Sequence, residues 1–146
     1  MTSDRTAAFL AGERLDDVAL YLSGEAVSNR DALLDRDVAS PAGDGVLLVV
    51  DGDRGRDVFA RLTGQDAMEF GGTAMQREGR IDASLTDGEC PEGDGDGAHR
   101  PVFVFAFAEG QNAEAGGIYE RGDVIHAYAQ CSCGTAYGDR WVVGER

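Results

Sequence analysis

Two apolar runs constrain this chain more than any other feature: Val46–Val50 inside "GDGVLLVVDGD", and "PVFVFAFA" over 101–108. A strand with one wet face alternates apolar and polar residues, and neither run does, so each reads as a strand covered on both faces. Such strands need a second layer on each side of their sheet. Glycines bound the first run, and Pro101 stands at the first strand position, where a missing N–H is tolerated.

The covering layer is predicted from 56–76, where Val58, Phe59 and Leu62 recur at helical spacing and Gly64 interrupts before Met68 and Met75. Two short helices are expected there. Thr2 or Ser3 can cap a short helix bearing Phe9 and Leu10, and "DDVALYL" (16–22) reads as a strand of mixed pattern. Ser28 or Asn29 can cap another helix over "RDALLDR". Beyond 116, short β-prone runs separated by "RGD" and "YGD" suggest an antiparallel meander. The expectation is one α/β domain over 1–146, bordering on α+β, with a mixed sheet and flanking short helices. Residues 86–100, "TDGECPEGDGDGAHR", have almost nothing to bury and are expected to form a mobile acidic surface loop.

Composition narrows the setting. Acidic residues number 27 against 13 basic ones, all Arg, for a formal charge of −14. Phosphate backbones would be repelled, which argues against nucleic acid as a partner. Acids spread along the whole chain, with no lysine, suit a salt-rich cytoplasm: at about 3 Å screening length in 1 M salt they repel one another little, yet keep the surface hydrated. No stretch approaches the roughly 18 apolar residues of a membrane span and no leader-like segment opens the chain, so a soluble cytoplasmic protein without membrane partners is expected. Three cysteines in a reducing compartment point away from a disulfide framework.

The stretches "FLAGERLDDVALYL", "FVFAFAEGQN" and "HAYAQCSCGTAYGDRW" together resemble an uncharacterised family of small acidic haloarchaeal proteins, a domain of unknown function. The resemblance covers nearly the whole chain apart from the acidic loop. It implies no reaction, ligand or site residue.

Three places carry candidate chemistry. Asp51 and Asp53 follow the first apolar run, where metal-assisted phosphoryl chemistry is often mounted. The supporting pattern is missing, since Arg54 interrupts it and lysine is absent, and capping of the following helix is the favoured role. Glu109, Gln111 and Asn112 follow the second run and can line a ligand pocket at the sheet edge, or form a plain solvated connection.

The third place is "CSCG". If "VIHAYAQCSC" is one strand, Ile125, Ala127, Ala129, Cys131 and Cys133 share a face and His126 points away. Core packing of both thiols is then the favoured reading, with Cys90 remote in its loop. In the competing metal reading, Gly134 ends the strand and curls the backbone, Cys90 folds down, and His99 completes a tetrahedral zinc site. Against it, an extended Cys-x-Cys holds its Cα atoms about 6.6 Å apart, wide for one ion. Redox or nucleophilic cysteine chemistry ranks below both. No cofactor is required by these patterns, and zinc is the one they admit. The function favoured is a non-enzymatic binding or accessory protein, the alternative being a metal-dependent hydrolase or phosphatase using Asp51 and Asp53.

Overall fold

The computed structural model describes residues 4–13, 15–23, 39–42, 45–92, 99–112 and 114–144. The helix expected over 30–36 lies outside them. In chain order the elements are α1 (Asp4–Leu10), β1 (Asp17–Leu22), β2 (Ala39–Ala42), β3 (Gly45–Asp51), α2 (Gly52–Thr63), α3 (Ala67–Ala74), β4 (Arg80–Ile81), β5 (Gly88–Glu89), β6 (Pro101–Glu109), α4 (Ile118–Arg121), β7 (Val124–Cys131) and β8 (Ala136–Val142). This is the expected α/β arrangement, with the two helices separated at Gly64.

Six strands form one sheet in the order β2-β3-β1-β6-β7-β8. Its pairings are antiparallel throughout, where a mixed sheet was expected. Apolar runs show that both faces are covered, which does not by itself fix strand direction. β1 lies between the two doubly apolar strands, with Val18 opposite Val50 on one side and Phe107 on the other. Its polar-looking residues disguised that place: Asp17 and Tyr21 are 5% and 7% exposed.

One face carries Val18, Leu20, Leu48, Val50 and Phe105 and is covered by α2 and α3. Phe59 of α2 is fully buried there, its ring 5.4–5.5 Å from those of Phe70, Phe103 and Phe105. α2 seats closely because residue 55 is glycine. A Cβ there would stand 2.0 Å from Val18 Cγ2.

The other face carries Val49, Val104, Ala127, Cys131 and Tyr137. Phe9 of α1 covers part of it, and Ile81, Leu85 and Cys90 from the β4–β5 ribbon cover the rest. Backbone bonds lock the ribbon's approach to β8: Gly138 N donates to Arg77 O (2.9 Å) and Gly79 N to Gly138 O (3.1 Å). Asp139 Oδ2 accepts from Ile81 N at 2.9 Å. The expected acidic loop thus begins with a short strand and a buried cysteine, whose burial its Gly- and Asp-rich neighbours concealed.

Candidate metal centre

Three chain segments meet at the end of β7. In the hairpin joining β7 to β8, Gly134 N donates to Cys131 O (2.9 Å) and Cys131 N to Thr135 O (2.8 Å). Gly134 takes φ +96°, the left-handed position such a three-residue connection reserves for glycine. Period-two alternation therefore stops at Cys131. That residue stays inward with Ile125, Ala127 and Ala129, 1% exposed, while Cys133 sits on the turn, exposed. The expectation that both thiols face the core of one strand is corrected here: the turn removes Cys133 from the strand, along with the extended spacing that counts against one ion.

Cys90 is not remote. Held just past β5, it is 7% exposed, and its Sγ lies 3.9 Å from Cys133 Sγ. His99 arrives on the lead-in to β6, which is fastened to the hairpin by Ser132 N donating to Arg100 O (2.8 Å) and Arg100 N to Ser132 Oγ (3.4 Å). His99 Nδ1 lies 3.5 Å from Cys131 Sγ. All four ligand atoms, from Cys90, His99, Cys131 and Cys133, fall within 4.8 Å of one another, so the group could hold a metal ion.

Tetrahedral geometry gives a check on fit. Metal–sulfur bonds of about 2.3 Å and metal–nitrogen bonds of about 2.05 Å place tetrahedral S···S pairs about 3.8 Å apart and S···N pairs about 3.6 Å apart. The observed 3.9 and 3.5 Å agree with those spacings.

The thiols differ electrostatically. Burial pushes Cys90 up to about 11, opposed by the Glu92 amide, whose N lies 3.4 Å from the sulfur. The Thr135 hydroxyl, 3.3 Å away, and then its amide bring Cys133 down to about 6. At neutral pH Cys133 therefore presents a thiolate, and Cys90 keeps its proton until a cation displaces it. Burial first, then Cys131, pushes the neighbouring Tyr137 phenol far up. Thr135 had no signal in the sequence beyond standing two residues after Cys133.

The other candidate residues lie elsewhere. Asp51 caps α2, its Oδ2 accepting from Arg54 N at 3.1 Å, and Asp53 pairs with Arg56 on the exposed side of that helix. Gln111 and Asn112 stitch the β6–β7 connection. Gln111 Nε2 donates to Glu120 O (2.7 Å) and Gln111 N to Asp123 Oδ1 (2.8 Å), while Asn112 N donates to Tyr119 O (2.8 Å). Exposed Glu109 lies 4.0 Å from His126 Nε2. His126, stacked on Phe107 at 4.9 Å and Tyr119 at 6.0 Å, occupies the face opposite the cysteines, and burial lowers its pKa.

Residues 39–144 match a family of unknown function, DUF5807. The chain belongs to DUF5807. Compared with curated proteins and with solved structures, it has no significant match in either. The matched stretch contains all four residues of the Cys/His group and two of the three stretches that carry the resemblance. "FLAGERLDDVALYL", which includes β1, precedes it.

Proposed function

We propose that this DUF5807 protein is a non-enzymatic accessory protein of a salt-rich cytosol, in which Cys90, His99, Cys131 and Cys133 hold one structural zinc ion. The convergence of four ligand atoms within 4.8 Å carries the reading. Three soft thiolates and an imidazole gathered within 4.8 Å suit zinc better than oxygen-seeking cations. A full set of four protein ligands leaves no open position for water or substrate, which is the mark of a structural site.

The ligands' origins suggest what the ion does. They come from the end of the ribbon, the lead-in to β6 and the β7–β8 hairpin, so a single ion crosslinks three segments over one face of the sheet. No helix among the described residues is long and apolar enough to cross a membrane. The −14 charge supports a partner other than nucleic acid.

Elemental analysis of protein purified without chelator tests the proposal. One equivalent of zinc is expected, lost in Cys131→Ala, and chelator alone should lower the melting temperature of the parent chain, since binding and folding free energy are then shared. Metal-free protein whose melting ignores chelator would refute it, as would zinc retained in Cys131→Ala.

A further inference from the structure

The three thiols differ most in access. Cys133 is exposed on the hairpin turn, whereas Cys90 and Cys131 are 7% and 1% exposed. A small solute therefore reaches the sulfur of Cys133 first. The next sulfur along is that of Cys90, 3.9 Å away. Cys131 is badly placed to compete: it is held in β7 with its sulfur against His99 Nδ1 (3.5 Å) and Ser132 Oγ (3.9 Å). A link from it to Cys133 would also have to close across one intervening residue, inside a turn whose backbone bonds already fix it.

From this arrangement we infer that Cys133 is an oxidation site for hydroperoxides and Cys90 its resolving partner, so that their disulfide forms at the expense of the zinc site; the inference rests on the zinc reading above. The Cys133 thiolate attacks one peroxide oxygen. The O–O bond breaks, Cys133 becomes a sulfenic acid, and the departing alkoxide or hydroxide takes a proton. The Cys90 thiolate then attacks Cys133 Sγ, forming the S–S bond and expelling hydroxide, which takes a second proton to become water. Two thiolates are oxidised by two electrons and one hydroperoxide is reduced. Zinc is left with Cys131 and His99 alone, too few ligands to hold it, and the end of the ribbon becomes joined covalently to the hairpin.

The test uses the whole chain, first assayed for zinc and then titrated with hydrogen peroxide under a chromophoric chelator. Zinc should be released in step with peroxide consumed, with the metal-free chain lighter by two hydrogens, and a dithiol plus zinc should restore the starting state. Trypsin cuts only after arginine here and spares Arg100–Pro101, so Cys90 falls in peptide 81–121 and both other cysteines in 122–140. Those peptides should appear joined without reductant, with fragmentation at Ser132 placing the link on Cys133. A link on Cys131, a Cys133 sulfinic acid beside a free Cys90 thiol, or zinc retained through the titration would overturn the inference. If the purified chain carries no zinc, the zinc reading fails by itself. The same peptide map on that metal-free protein still reports whether Cys133 and Cys90 pair.

Discussion

The same substitution, glycine to alanine within a helix, should have opposite effects at Gly55 and Gly72. In a helix interior alanine is favoured by about 1 kcal/mol. At Gly72 of α3 a new Cβ meets nothing within 4 Å, so Gly72→Ala should realise most of that gain. At Gly55 of α2 the new carbon would lie 2.0 Å from Val18 Cγ2 and 3.3 Å from Val50 Cγ2. Val18 is β-branched, 4% exposed, and paired on both sides in the interior of the sheet, so it has little freedom to turn aside. α2 must back away instead, loosening Phe59 from the three rings around it. Overpacking of this kind costs about 1–3 kcal/mol, and the larger figure applies where the neighbour is stiff. After the propensity gain, Gly55→Ala should lose about 2 kcal/mol, placing the two variants about 3 kcal/mol apart. For a chain of this size that separates their melting temperatures by about 6–12 °C. Thermal unfolding followed by circular dichroism, with both variants in the same high-salt, zinc-containing buffer, measures the difference. Equal melting temperatures, or Gly55→Ala the more stable, would refute the close seating of α2 on β1.

Zinc affinity should rise with pH. The metal-free Cys90 thiol titrates near 11, so binding displaces at least its proton throughout the neutral range, and affinity should climb at least tenfold per pH unit between pH 6.5 and 8.5, read by competition with a chromophoric chelator. A pH-independent constant would contradict the placement of Cys90 among the ligands. Tyr137 is fully buried and its hydroxyl has no hydrogen-bond partner among the described residues, so Tyr137→Phe should be neutral or stabilising by about 1 kcal/mol in denaturant titrations. A loss larger than that would mean the hydroxyl is satisfied. The −14 charge with no lysine predicts unfolding midpoints that rise steeply from dilute buffer to multimolar potassium chloride. Greatest stability in dilute buffer would overturn the salt-rich reading.

Elements whose signal is local could be read from residues alone. Val46–Val50 and 101–108 announced covered strands, and Gly64 announced the break between α2 and α3. β1 was harder, because Asp17 and Tyr21 give it a mixed pattern and its partners lie far along the chain. At the Cys/His group, alternation was legible up to Cys131 and failed beyond it, since the hydrogen bonds of a turn, and no periodicity, decide where Cys133 points. Cys90 looked solvated by its acidic, glycine-rich neighbours. Its burial depends on the ribbon docking against β8 through Asp139 and Gly138, a tertiary contact that no window of sequence around residue 90 contains.

The place of β1 sets a timetable for folding. The strand leaves the ribosome before either neighbour, and while β3 follows soon after, β6 pairs Phe107 with Val18 only once nearly ninety further residues exist. At synthesis rates of about 5–20 residues per second, that interval is about 4–18 s. Throughout it, one edge of an almost wholly apolar strand stands unpaired, a template for any other extended chain. Asp16 and Asp17 at its start, beside Asp51 at the end of β3, place three like charges at one end of that half-built sheet. Carboxylates in such positions act as gatekeepers against edge-to-edge association. Concentrated salt would weaken that guard while the nascent chain waits for β6.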